Sequence, residues 1–367
     1  MINIPVEEAA WAQKIKQKVQ EKMSSLCDRL GYSIPYATVN GEYKERMPSN
    51  ISWWTNGFWP GLLWLMYNDT KDDKYQKTAR ALEEKLDCAL SGFEGLHHDV
   101  GFMWTLASVL DWRLTGDKTA RTRALHAATI LAGRYNPRGK FIRAWNRDCT
   151  GWIIVDCMMN LSLLYWAGEQ LDDPRFGFIA CDHADTALKY LVREDGSCNH
   201  IAVLNPQNGE LVENPPGQGF ACGSSWTRGQ AWALYGFAII YRHTCEERYL
   251  QAAHRIADYF CAEAAHYGYV PPVDFRAPDE PKLIDTSAGT IAACGLLELG
   301  KTQEALNLLR AIEAAHCNWD PAADGLVQMG TAQYHDKLEE RHVSLIYGDY
   351  FFTEAIHRLC GSDLQIW

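Results

Sequence analysis

The sequence predicts an all-α protein, a closed (α/α)6 barrel of six helix pairs. Three observations carry that expectation. Apolar residues recur with the 3.6-residue helical period along almost the whole chain. The helices so marked are of two alternating kinds, and the joints between the two kinds resemble one another.

The period marks helices at about 6–30, 57–68, 72–92, 101–115, 118–134, 153–167, 173–192, 225–243, 246–265, 285–299, 302–316 and 346–360. One kind is charged along one face: KYQKTARALEEKLDCAL, TARTRALHAATILA, RYLQAAHRIADYF and TQEALNLLRAIEAA. Such a stripe marks an outer helix with one solvated side. The other kind is apolar nearly all round and rich in small residues: GFWPGLLWLMY, GFMWTLASVL, IIVDCMMNLSLLYW, RGQAWALYGFAII, AGTIAACGLLEL and GDYFFTEAIHRL. A helix without a polar stripe belongs between two layers. The joints MYNDTKDDKY, DWRLTGDKTA, YRHTCEERYL and LELGKTQEAL each end an apolar helix, turn through a few polar residues and start a charged one. Periodic helix pairs build either an open solenoid or a ring. Six doubly buried helices, with both chain ends supplying similar pairs, favour the ring. No Pro/Gly-rich linker interrupts the series, so residues 1–367 are expected to form one domain. Convincing strands are absent from the pattern, and short extended pieces are expected only near 140–144 and 200–204.

Composition narrows the function. The net charge of −11 argues against a nucleic-acid partner. No apolar run approaches the ~18 residues of a membrane helix, and the first residues show no signal peptide. The 12 cysteines are scattered singly, without CxxC spacing, as expected of reduced thiols in a cytoplasmic protein. The 14 Trp, 17 Tyr and 12 Phe are unusual. Most must pack the core, yet many Trp stand beside Gly, Asn, His, Asp or Arg at helix starts. That mixture suits a sugar cleft, where ring faces cover pyranose C–H groups and polar groups take the hydroxyls.

In a ring of helix pairs the short turns share one rim and the long connections the other. The long connections, 31–56, 93–100, 135–152, 193–224, 266–284 and 317–345, all precede apolar helices. Loops of this length are commonly functional. The polar residues of the apolar helices gather at the same rim: Trp53-Trp54-Thr55-Asn56, His97-His98-Asp99, Trp145-Asn146, Asp156, Ser225-Trp226-Thr227-Arg228, Asp285-Thr286 and Tyr347-Gly348-Asp349-Tyr350. Asp156 has apolar neighbours on both sides in GWIIVDCMMNLSLLYW. Burial raises a carboxyl pKa and suits a general acid near neutrality, although capping or pairing near a helix start explains an Asp equally well. Asp99 opens an apolar helix, where an N-cap alone accounts for it; a second carboxylate facing Asp156 would fit glycoside chemistry. Adjacent His97, His98 and Asp99 do not easily share one coordination sphere and lack an obvious further ligand, so no metal is expected. Arg228 lies one turn before Trp232, which would place a guanidinium beside an indole to hold a sugar carboxylate. GQGFACG follows Asn-Pro-Pro rather than a strand and is no dinucleotide loop; GSSW is no nucleophile elbow.

HHDVGFMW, GWIIVDCMMN, PPGQGF, SSWTRGQAWALYG and LIYGDYFF together resemble the unsaturated glucuronyl hydrolases of glycoside hydrolase family 88. The motifs stand in the family's order, from about Trp53 to Phe352. The resemblance implies an (α/α)6 barrel without cofactor or metal. It implies action on oligosaccharides left by polysaccharide lyases, which carry a 4,5-unsaturated uronic acid at the non-reducing end. By the same resemblance Asp156 protonates C4 and helps water add at C5, and Asp99 touches the ring hydroxyls and the developing charge. His200 and Gln218 match positions near the acid and the water. Trp53, Trp145, Trp226 and Trp232 match aromatic walls, Arg228 the polar floor, and Tyr347 and His98 further pocket positions. Three rivals remain. An unsaturated rhamnogalacturonyl hydrolase shares barrel and reaction. A sugar epimerase would need paired histidines on facing helices, which the sequence does not offer. A non-catalytic sugar-binding protein would have no use for Asp156.

Overall fold

The computed structural model describes residues 4–46, 48–335 and 338–367. An outer helix α1 (Val6–Leu30) leads into a rim segment containing a hairpin of β1 (Pro35–Val39) and β2 (Glu42–Glu45), then the inner helix α2 (Phe58–Thr70) and its outer partner α3 (Asp73–Gly92). The second inner rod is α4 (Val100–Trp104), a π-type turn (Thr105–Val109) and α5 (Leu110–Thr115), backed by α6 (Lys118–Ala132). β3 (Tyr135–Asn136), β4 (Phe141–Ile142) and β5 (Trp152–Ile154) cross the rim before the third inner rod, α7 (Cys157–Asn160) with α8 (Ser162–Leu171), and its partner α9 (Arg175–Tyr190). β6 (Ile201–Leu204) and β7 (Leu211–Glu213) precede the pair α10 (Thr227–Thr244) and α11 (Glu247–His266). The pair α12 (Thr286–Glu298) and α13 (Thr302–His316) follows, and α14 (Ile346–Leu359) is the last inner helix.

The inner helices pack in sequence, and α14 meets both α2 and α1, so the ends of the chain close the ring. Every residue of α10 from Thr227 to Ile240 is buried, as is every residue of α12 from Thr286 to Leu297. The outer α3 buries only a stripe that includes Tyr75, Ala79, Leu82 and Leu86. The recurrent joints have a common backbone cause: Lys71, Gly116, Asp172, Cys245 and Gly300 adopt left-handed φ of 56°, 75°, 51°, 55° and 74° just after an inner helix, which ends it and reverses the chain. Asp72 and Asp117 then cap the following outer helix.

Small residues let the inner rods approach. A Cβ at Gly57 would overlap the Cα and carbonyl oxygen of Met103, which is backbone and cannot yield. Gly57→Ala should therefore destabilise the protein by about 1–3 kcal/mol; an unchanged urea midpoint would show that the two rods are not in that contact. Trp367, which follows α14, is buried against the inner helices. Trp367 stacks on Phe351 at 6.0 Å and donates to Glu354 Oε2 at 3.1 Å.

The sequence expectation fails in one stretch. Residues 153–154 are strand rather than helix. β5 pairs antiparallel with β6, Ile154 opposite Ile201, and β6 pairs with β7. The helix starts only at Cys157 and is interrupted at Leu161. Seven short strands edge the rim among the described residues, of which the sequence pattern gives only the pieces at β4 and β6.

Candidate active site

A cavity of about 450 Å³ opens on the rim at the N-terminal ends of the inner helices. A larger one, about 600 Å³, lies between residues 266–284 and Tyr334, but its Asp279, Glu280 and Lys282 are exposed. Its buried Asp274 is already saturated by the N–H groups of Phe220 and Ser225 and the hydroxyl of Ser224. The smaller cavity holds the reactive groups.

Asp156 sits between β5 and α7, so the strand pairing and the helix start fix it from both sides. Val155 donates to His200 O at 3.0 Å, which brings His200 behind the acid. The Asp156 side chain is 17% exposed and lines the cavity. Burial pushes its carboxyl up to about 7, against the opposing pull of Arg228. His200 is buried and held down to about 3 by burial and then by Arg228, so it is neutral. Its Nδ1 accepts the Gln218 N–H at 3.0 Å, which leaves the proton on Nε2. That Nε2–H faces Asp156 Oδ1 at 3.6 Å, and neither atom has another partner. A shift of a few tenths of an ångström makes the bond.

Asp99 lines the same cavity from the start of α4. Burial, then the nearby Asp156, raises its carboxyl well above the usual range, while a hydrogen bond from Asn160 Nδ2 at 3.3 Å opposes the rise. Two carboxyls so placed resist ionising together. His97 and His98 flank Asp99 at 3.3 and 3.5 Å. Burial lowers His97 to about 4 and His98 well below its ordinary value. Contrary to what adjacency suggests, these three side chains do converge: one ligand-type atom from each lies within 4.8 Å of the others.

The walls are aromatic. Trp53, Trp145, Trp226 and Tyr347 line the cavity together with Gln218 and His98. Trp145 is held by Arg134, whose guanidinium donates to the carbonyls of Ala144 and Trp145 and to Asn146 Oδ1. Trp232 is a correction. It is wholly buried and packs on Phe102 at 4.9 Å beneath the site, because the α10 face that carries it points into the barrel axis. Arg228 does not pair with it. The guanidinium lies over Trp226 and Tyr347, at 4.7 and 5.2 Å. It is 1% exposed and donates to Asp285, to Thr331 O at 2.8 Å and to Ala332 O. Burial pulls Arg228 down, but Tyr347 and Asp285 outweigh it and the group stays charged. It reaches the cavity as a braced wall rather than a free cation. Sequence reasoning missed Tyr36, Arg46 and Glu340, which complete the mouth. Arg46 is paired with Glu340 and lies over the rings of Tyr36 and Trp53. These come from the hairpin and the last long loop, where no helix period draws notice.

No protein-family model matches the chain. Individual proteins do. The chain is 36% identical over 361 residues to an unsaturated glucuronyl hydrolase of Bacillus sp. (strain GL1), covering 92% of this chain and 94% of that protein. It is 32% identical over 336 residues to an unsaturated chondroitin disaccharide hydrolase of Streptococcus pyogenes serotype M1, covering 86% and 83%. The crystal structure of the unsaturated glucuronyl hydrolase from Bacillus sp. GL1, responsible for the degradation of glycosaminoglycan, superposes with a TM-score of 0.90 at 33% identity over 95% of this chain and 96% of that one.

Proposed function

The chain belongs to the family of unsaturated glucuronyl hydrolases, and from that premise we propose that it hydrates the vinyl ether of a 4,5-unsaturated uronic acid at the non-reducing end of lyase-generated oligosaccharides, with Asp156 moving the proton. The observation that carries this reading is a carboxyl with its pKa raised to about 7, opening on a Trp-walled cavity that also holds Asp99. Such a group is half protonated near neutrality and can both give and retake a proton.

Asp156 delivers its proton to C4. The ring oxygen then shares positive charge with C5, which the nearby carboxyl pair stabilises. The Asp156 carboxylate takes a proton from water as its oxygen bonds to C5. The resulting hemiketal opens, the glycosidic bond is lost, and the freed uronate rearranges to a keto acid. His200 backs Asp156 with its Nε2–H 3.6 Å from Oδ1, and Trp53, Trp145 and Trp226 cover the sugar faces. Glycosaminoglycan-type disaccharides are the favoured substrates, since the chondroitin-named and glycosaminoglycan-degrading relatives cover most of the chain. Residues 1–367 act as one catalytic unit, a reading supported by an apolar core that runs from Ala12 to Trp367. All 12 cysteines stand as free thiols, which supports a reducing, cytoplasmic setting. Among the described residues no helix is long and apolar enough to cross a membrane.

The test is a panel of disaccharides, lyase-generated from glycosaminoglycan and from pectin, followed by loss of alkene absorbance. Unsaturated glycosaminoglycan disaccharides should be consumed and their saturated counterparts left intact, because protonation at C4 needs the double bond. Equal cleavage of a saturated glucuronide would overturn the reaction, and a preference for pectin fragments would reassign the substrate.

A further inference from the structure

Asp99 occupies the capping position of α4 and does not cap it. Its carboxyl makes no hydrogen bond to the backbone of the first helical turn. An Asp at this position ordinarily accepts the N–H two or three residues on, and three residues on is Phe102. That N–H is taken instead by Asn160 Oδ1, at 2.6 Å. Asn160 is the last residue of α7, on the neighbouring inner rod, and is wholly buried. Its Nδ2 donates to Asp99 Oδ1 at 3.3 Å and to the carbonyl of its own Asp156 at 3.2 Å. The approach depends on Gly101, where a Cβ would overlap the Asn160 backbone.

One planar amide therefore does the capping that Asp99 leaves undone, and ties the Asp99 carboxyl to the backbone of the residue that bears the second carboxyl. We propose that Asn160 is a positioning residue: it caps α4 from the neighbouring rod and so keeps the Asp99 carboxyl turned into the cavity instead of folded back on its own helix. The functional part of this inference rests on Asp99 acting in the proposed reaction. Without Asn160 the Phe102 N–H is left without its acceptor, and the local preference of an Asp before a helix takes over.

The experiment is a double-mutant cycle on Asn160 and Asp99 in the full chain, with a crystal structure of Asn160→Ala. The Asn160→Ala structure should show the Asp99 carboxyl accepting from Phe102 N, and turnover should fall by about 100-fold, the effect of misplacing a reacting group by an ångström or so. Added to Asp99→Ala, the Asn160 substitution should cost nothing further, because it acts only through that carboxyl. If Asn160→Ala does not fold, Asn160→Asp keeps an acceptor for the Phe102 N–H and so keeps the cap; its crystal structure should still show the Asp99 carboxyl facing the cavity, and an Asp99 carboxyl folded back onto Phe102 N there would overturn the proposal. Multiplying losses in the cycle, or an Asp99 carboxyl still facing the cavity in a fully active Asn160→Ala, would overturn the proposal. Full activity of Asp99→Ala would instead sink the catalytic reading of Asp99, while the position of that side chain in Asn160→Ala still decides whether Asn160 caps the helix.

Discussion

Asp156→Asn is expected to lower turnover on an unsaturated disaccharide by about 10²–10⁴-fold, with the melting temperature held. Asn keeps the shape of the side chain and its contact with the His200 edge, but has no proton to give to carbon at neutral pH. The carboxyl's pKa near 7 fixes the sign of the pH dependence. The protonated form is the active one in the first step. Activity in kcat/KM should therefore be flat on the acid side and decline as pH rises through about 7, approaching a tenfold loss per unit above it. A variant with near-wild-type turnover would remove Asp156 from the proton transfer. A limb falling near the ordinary carboxyl range would mean that some other, more exposed group titrates.

Arg228→Ala should mainly cost stability, in contrast to the expectation from sequence that it weakens binding. Arg228 is 1% exposed and Asp285 wholly buried, and they pair directly. Removing the guanidinium strands a buried carboxylate and leaves the carbonyls of Thr331 and Ala332 without that donor. Breaking such a pair from one side costs about 3–5 kcal/mol. Chemical denaturation of Arg228→Ala reads this directly, and replacing Asp285 by Asn in the same chain should recover part of the loss. An Arg228→Ala protein with an unchanged denaturation midpoint and only a raised KM would put the guanidinium on the substrate instead.

The barrel was legible because its cause is local and periodic. Charged stripes on α3, α6, α11 and α13, and their lack on α2, α10, α12 and α14, are patterns of 3.6 residues that tertiary context does not override. The rim was legible only in part. The sequence pattern puts Asp156 in a helix because GWIIVDCMMN continues the apolar run of α8, whereas Trp152–Ile154 carries a β-branched pair that finds a partner in β6. That partner lies some fifty residues away, and no local pattern announces it. Trp232 and Arg228 share an i, i+4 face in a flat projection, yet the side chains diverge: Arg228 turns toward Asp285 and Trp232 toward Phe102. Tyr36, Arg46 and Glu340 reach the mouth only because the first and last long connections meet when the ring closes, as the bridge between Ala37 and Leu345 shows. Side-chain direction and loop meeting are properties of the closed ring, not of any one segment.

The most direct test is to run the reaction in D₂O and read the released uronate early, by NMR. Proton delivery from one face of the cavity predicts a single deuteron at C4, on one face of the carbon, appearing at the rate at which the alkene is lost. A first-formed product without deuterium at C4 would mean that the sugar is cleaved at its anomeric carbon with the double bond never protonated.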